Sequence, residues 1–274
     1  MTSGLPYMGS KRKIASKIMD YICANNPNAK YFYDLFGGGG AMSFEALKRH
    51  QFKRVVYNEL NTGVVELLKK IQRDGVTKDF YQWVSREKYY AHKNDNDWFA
   101  GLVKTCWSFG NDQKTYLFGK NIECIKREAH EYLMDNGYDG DKNERLALLA
   151  QFKSIKQISG RFDLQQLEQL EQLERLERLE LRNESYANVV IDTPVSDTVI
   201  YLDPPYKGTE QYQEKLNHDF FDEFVQTSPF KIYVSGYDSE LPCVFSVPVR
   251  STFSRANNAK QVVEKLFCNQ EEKK

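Results

Sequence analysis

Residues 31–58 constrain this chain more than any other stretch. Tyr31-Phe32-Tyr33-Asp34-Leu35-Phe36 is a short, apolar, aromatic-rich run suited to a buried parallel strand. Gly37-Gly38-Gly39-Gly40 follows without a break, and Ala41 to Arg49 reads as a helix. Arg54-Val55-Val56-Tyr57-Asn58 is a second strand, and Thr62 to Arg73 a second helix, apolar at 64, 65, 67, 68 and 71. Strand, helix, strand, helix at this spacing predicts a doubly wound, mostly parallel α/β sheet of Rossmann type. Ahead of it, apolar positions 14, 18, 19 and 22 predict a helix with Ser10 as N-cap, stopped by Pro27.

The pattern then pauses for about 110 residues. From 75 to 160 the chain is polar with scattered aromatics, and helices are expected near 98–108, 120–135 and 143–158. Leucine recurs at 164, 167, 170, 173, 176 and 179 within a low-complexity repeat, 164–181. A three-residue period rotates these leucines around a 3.6-residue helix. The segment is therefore buried on several sides, part 3₁₀, or a leucine-ladder turn. Strand grammar returns at Thr198-Val199-Ile200-Tyr201-Leu202 and Phe230 to Ser235, with a helix from His218 to Gln226 and late strands at 243–249 and 262–267. A sheet that starts, pauses and resumes predicts an inserted subdomain. The expected division is 1–60 with 185–274 as one catalytic domain, and 61–184 as a mainly helical insert.

Composition excludes several classes. With 38 Lys and Arg against 38 Asp and Glu the net charge is zero, so bulk electrostatics would not coat this chain on nucleic acid. The first 60 residues nevertheless carry nine Lys or Arg against four acids, and 161–184 four Arg against seven acids. A polyanion would meet the first segment more readily, although such drifts are also common on solvated surfaces. No apolar run is long enough to span a membrane and no secretory signal opens the chain. The five scattered cysteines, without a C-x-x-C pair, fit buried thiols in a reducing cytoplasm rather than a disulfide frame or a zinc site.

Three places carry chemistry. Four glycines at a strand-to-helix bend remove every Cβ and let a ligand approach the backbone, at the edge where open α/β sheets bind nucleotides. The run is neither G-x-G-x-x-G nor a triphosphate loop. Asp34, ahead of it, would repel a phosphate and suits a ligand bearing an amino group. Glu59 closes the second strand, where an acid accepts hydrogen bonds from ribose hydroxyls. Together they point to a neutral or cationic nucleoside, and S-adenosylmethionine fits. Asp203-Pro204-Pro205-Tyr206 follows a strand, and its prolines cannot continue one. A stiff loop here lets Asp203 and the Pro204 carbonyl accept both hydrogens of an exocyclic base amine, while Tyr206 stacks on a flipped base. The plainer alternatives are a flexible turn at the glycines, an exposed helix-leading acid at Glu59 and a surface turn at Asp203. In the insert, Asn111 and Tyr116, near Phe109, could read or wedge DNA; an ordinary loop is the plainer reading.

Tyr7-Met8-Gly9-Ser10-Lys11, Asp34 through Gly40, Asn58-Glu59-Leu60 and Asp203 through Tyr206 together resemble the Dam-type DNA adenine-N6 methyltransferases, in their order. The resemblance implies S-adenosylmethionine as cofactor without a metal, bound by Tyr7, Lys11, Asp34, Phe36, Gly37, Gly39, Glu59 and Asp203. It implies methyl transfer to N6 of a flipped adenine in duplex DNA by Asp203, Pro204, Pro205 and Tyr206. Many members carry Asp where this chain has Glu59, and cytosine-N4 relatives begin the tetrad with Ser. The resemblance also implies a cytoplasmic enzyme of bacterial or bacteriophage origin, with a cognate restriction endonuclease as an expected companion. A DNA-binding protein without turnover, and methylation of RNA or of cytosine N4, remain the alternative readings.

Overall fold

The computed structural model describes residues 4–7, 10–171, 178–205, 216–250 and 261–270. In chain order these form helix α1 (Ala15–Asn25), strand β1 (Tyr31–Asp34), α2 (Ala41–Leu47), β2 (Arg54–Asn58), α3 (Thr62–Asp74), α4 (Arg86–His92), α5 (Trp98–Cys106), α6 (Glu123–Asp135), α7 (Lys142–Ile155), α8 (Gln165–Leu170), β3 (Leu179–Arg182), β4 (Thr198–Leu202), α9 (His218–Thr227), β5 (Lys231–Gly236), β6 (Cys243–Arg250) and β7 (Gln261–Cys268). They fall into two compact units, one of residues 11–60 with 178–274, the other of residues 1–10 with 61–177.

The first unit holds a seven-stranded sheet in the order β3-β2-β1-β4-β5-β7-β6. The strands from β3 through β5 are parallel, and β7 runs antiparallel to both β5 and β6. The chain winds outward from β1 to β3, returns to β4 and winds the other way. The order therefore reverses between β1 and β4, and ligands of open α/β sheets bind in the crevice that such a reversal leaves beyond the carboxyl ends of the strands.

Side chains alternate across the strands, and both faces are apolar because both are covered. On one face Tyr33, Leu35, Val56, Ile200, Leu202 and Ile232 pack with Phe221 and Val225 of α9. On the other lie Phe32 and Tyr201, whose rings stack 6.4 Å apart, and α2 packs against β1 and β2 there. The expected α/β architecture is present.

Three local expectations change. Ser10 is not the cap of α1: a 3₁₀ turn, Lys11–Lys13, comes first and the helix begins at Ala15. The tighter turn carries Lys11 inward, to 7 % exposure. The leucine repeat is not one structure. Leu164, Leu167 and Leu170 are buried in and beside the six-residue α8, together with Gln166 and Gln169, so this helix is enclosed on several sides. Leu179 instead belongs to β3, in register with Val55, and the sheet resumes there rather than at Thr198. Leu173 and Leu176 lie outside the described residues. Of the cysteines expected to be buried, Cys106 and Cys268 are; Cys23 is half-buried, and Cys124 and Cys243 are exposed.

The second unit is helical across α3 to α8. Its core is aromatic: the Trp83 ring meets Trp107, Phe118 and His130. His130 Nε2 lies 2.7 Å from the Tyr81 carbonyl, and burial lowers its pKa to about 4, so the imidazole is neutral near pH 7. No described helix is long and apolar enough to cross a membrane.

Candidate active site

The glycine loop is shaped by its neighbours. A Cβ on Gly37 would stand 2.1 Å from the Tyr57 ring, and Gly40 has φ +77° with the Phe44 ring 2.8 Å from where a Cβ would be. Only glycine fits both positions. The Gly37 N–H donates to the Asn58 carbonyl at 2.8 Å, and the Tyr57 hydroxyl donates to the Gly38 carbonyl at 2.7 Å. Gly39 is buried within the same loop. The Glu59 carboxylate accepts from the Gly38 N–H at 2.8 Å, so it holds the loop from the end of β2.

Asn58 joins three strand ends. Its Nδ2 donates to the Leu35 carbonyl at 3.1 Å and to the Glu184 carbonyl at 3.0 Å, and its Oδ1 accepts from the Glu184 N–H at 3.1 Å. The loop after β3 is thereby tied to the loops after β1 and β2. Tyr186 from that loop lies 5.0 Å, centroid to centroid, from Phe36, which also meets Phe221 at 6.0 Å. Phe36, expected to touch cofactor, is thus part of an aromatic cluster on the α9 side. Asn58, quoted only within the motif that ends β2, and Tyr186 were given no role from sequence; the first carries no charge and the second follows a strand hidden in the leucine repeat.

On the opposite face a cluster of ionisable groups gathers beyond β1 and β4. Asp34 is 1 % exposed. Its Oδ2 accepts from the Ser43 hydroxyl at 2.7 Å, while its Oδ1 is sealed without a hydrogen-bond partner among the described residues. Burial, with Asp203 and Glu59 nearby, raises its pKa to about 7. Asp203 follows β4 directly and is about a fifth exposed. Its Oδ1 lies 2.9 Å from Lys11 Nζ, which also lies 3.2 Å from Glu264 Oε1 of β7. Burial raises the Asp203 pKa against the opposing pull of Lys11. The Tyr201 phenol, one strand over from Asp34, faces Asp203, Lys11, Ser235 and Asp34, and burial drives its pKa well above the usual value.

Lys11, Asp34, Gly37, Gly39, Glu59 and Asp203 are therefore brought to one edge of one sheet. Pro204 and Pro205 continue from Asp203, half-buried. Tyr206, and Met8 and Gly9 of the first motif, lie outside the described residues. Tyr7 belongs to the helical unit, where its carbonyl accepts from the Ser10 N–H at 3.2 Å. In that unit Tyr116 is 2 % exposed and its hydroxyl donates to the Val84 carbonyl at 2.8 Å. A ring so enclosed packs the subdomain and presents nothing to DNA, contrary to the expectation for it. Asn111 is half-buried, and its Oδ1 accepts from Gln169 at 3.4 Å. Phe109 beside it is 57 % exposed.

The described residues thus form an open α/β sheet of order 3-2-1-4-5-7-6, with a glycine loop after β1 and an Asp-Pro-Pro loop after β4 at the carboxyl ends of its strands. The chain belongs to the D12 class N6 adenine-specific DNA methyltransferases, whose family model matches residues 7–235. It is similar to the type II methyltransferase M.MjaIII of Methanocaldococcus jannaschii, 23 % identical over 299 residues that cover 97 % of this chain and 92 % of the relative. A comparison with the crystal structure of HI0767 from Haemophilus influenzae, assigned to the methylases, covers 97 % of this chain and 92 % of that one at 14 % identity and a TM-score of 0.30. The protein is thus an adenine-specific DNA methyltransferase, and its substrate is DNA.

Proposed function

We propose that this enzyme moves the methyl group of S-adenosylmethionine to N6 of an adenine flipped out of duplex DNA, with Asp203 orienting the amine. The observation that carries the reading is the placement of Asp203. It is a part-exposed carboxylate at the carboxyl end of β4, held by Lys11 and lying beside a buried acid with an unpartnered oxygen.

The residues suit this cofactor. Asp34 supplies a buried carboxyl beneath the glycine loop whose ionised form a nearby ammonium group would favour, and Gly37 keeps the loop packed on the Tyr57 ring, where a Cβ would collide. Glu59 stands at the end of β2, where a ribose would be held. Among the described residues, a cationic ligand also offsets the excess of acids among Asp34, Glu59, Asp203 and Glu264 over Lys11. When bound, S-adenosylmethionine supplies a methyl group already activated by the sulfonium.

The exocyclic amine of adenine is planar because its lone pair is shared with the ring. Asp203 and the Pro204 carbonyl accept its two hydrogens, return electron density to nitrogen and aim the lone pair. The interaction strengthens as nitrogen becomes tetrahedral and positive, so it acts on the transition state rather than on binding. Tyr206 completes the seat by stacking on the extruded base. In the helical unit the segment 107–117 folds back on itself, with Phe109 N–H donating to Thr115 and Leu117 N–H to Trp107, both at 2.8 Å. It holds Phe109 out to solvent as the group to meet DNA. Similarity to a type II methyltransferase supports a restriction endonuclease as companion.

The test is transfer of labelled methyl groups to adenine-containing duplexes, with DNA binding measured in parallel. Asp203→Ala should lower turnover by about 10²–10³ and leave DNA affinity nearly unchanged, since phosphate contacts supply most of it. Near-normal transfer by that variant, or label appearing on cytosine or on RNA, would overturn the reading.

A further inference from the structure

The amine-orienting role of Asp203 leaves one feature of the cluster without a purpose. Lys11 is 7 % exposed and does not pair with Asp203 alone. It lies 2.9 Å from Asp203 and 3.2 Å from Glu264, itself 7 % exposed. Glu264 sits on β7, the strand inserted antiparallel beside β5, and so reaches the site from a part of the chain far from either motif. Its Oε1 also accepts from the Ser235 hydroxyl of β5 at 3.1 Å, which fixes the carboxylate in place. A second buried acid on a lysine that already has one is costly to keep, because like charges in a low-dielectric site repel.

A full ion pair between Lys11 and Asp203 would direct Asp203's lone pairs at the ammonium. The same lone pairs must accept the hydrogens of the adenine amine. Glu264 divides the lysine between two acids and so leaves Asp203 incompletely satisfied on the side facing substrate. We propose that Glu264 is a positioning residue for the methyl-transfer step: it draws Lys11 partly off Asp203 and so keeps the Asp203 carboxylate available to the amine. This rests on the assignment of Asp203 in the proposed function. Among the described residues, the groups gathered around Asp203 and Lys11 include Asp34 from β1, Tyr201 from β4, Ser235 from β5 and Glu264 from β7. Of these, Glu264 is the acid that touches the same lysine nitrogen.

The experiment uses the full-length enzyme and three proteins: wild type, Glu264→Gln and Glu264→Asp. Gln keeps an oxygen for Ser235 and Lys11 but removes the charge. Turnover by Glu264→Gln is expected to fall about tenfold, equivalent to about 1.4 kcal/mol in the barrier, with KM for DNA unchanged. Removing the acid also lets Lys11 pair fully with Asp203, and both effects favour the ionised Asp203. The acid limb of the kcat profile should therefore move to lower pH, and Glu264→Asp should restore part of the rate. Carboxyl carbon NMR of aspartate-labelled free protein, with Asp203→Asn assigning the resonance, should show the same downward shift. If Glu264→Gln lowers the melting temperature but moves neither the pH limb nor the Asp203 resonance, Glu264 is structural and the proposal fails. If the wild type transfers no methyl to adenine, the functional reading fails, while the resonance still decides whether Glu264 tunes Asp203.

Discussion

Asp34→Asn isolates the cost of the acid buried beneath the glycine loop. The substitution is nearly isosteric, and an amide oxygen can still accept from the Ser43 hydroxyl at the 2.7 Å position. What it removes is a carboxyl whose pKa rises from 3.8 to about 7 on folding. Between those values the native protein binds the proton and the unfolded chain does not. Native stability therefore falls as pH rises through the window and is constant above it. At about 1.4 kcal/mol per unit the whole shift is worth about 4 kcal/mol, of which roughly 2.5 kcal/mol lies between pH 5 and pH 8. Urea unfolding of the ligand-free protein at those two pH values should show the wild type losing about that much more stability than Asp34→Asn. A cationic ligand on the ionised form adds a second signature. Wild-type affinity for S-adenosylmethionine should rise with pH through about 7, and calorimetry in buffers of different ionisation enthalpy should detect proton release. Asp34→Asn should bind weakly and release none. Equal pH dependence of the two proteins, with no proton released on binding, would refute the reasoning.

Gly37→Ala places a Cβ 2.1 Å from the Tyr57 ring and should cost about 1–3 kcal/mol in urea unfolding while lowering cofactor affinity in calorimetry. Asn58→Ala removes three hydrogen bonds, one buried and two part-buried, from backbone groups of Leu35 and Glu184, so unfolding should show a loss of about 2–4 kcal/mol. Phe109→Ala and Tyr116→Phe should separate the two aromatics of the insert. The first should weaken binding to labelled duplex by about 1–3 kcal/mol at unchanged stability, and the second should cost about 1 kcal/mol of stability with binding unchanged.

The sequence by itself determined the sheet's parallel core and the ends of β2 and β4, whereas the first strand, expected to run to Phe36, stops at Asp34. β2 and β4 are short apolar runs closed by an acid or by prolines, and local chemistry alone dictates where they stop. Glu59 and Asp203 could be named as candidates because each is the polar residue that follows an apolar strand, and Asp34 because it is the one acid within an apolar run ahead of the glycines. Lys11 and Phe36 entered as candidates only through the resemblance of whole motifs. Only the tertiary structure decided the rest. β3 is hidden in the leucine repeat, because Leu179-Glu180-Leu181-Arg182 becomes a strand by pairing with β2, and a three-residue period announces no strand. Tyr116 looked available in a polar stretch and is enclosed by Tyr89, Trp107 and Phe118, contacts made by residues up to 27 positions away. Glu264 reads in sequence as one more acid in a late strand. It meets Lys11 because β7 turns back antiparallel beside β5, and two charges 253 residues apart become neighbours only when the sheet is complete.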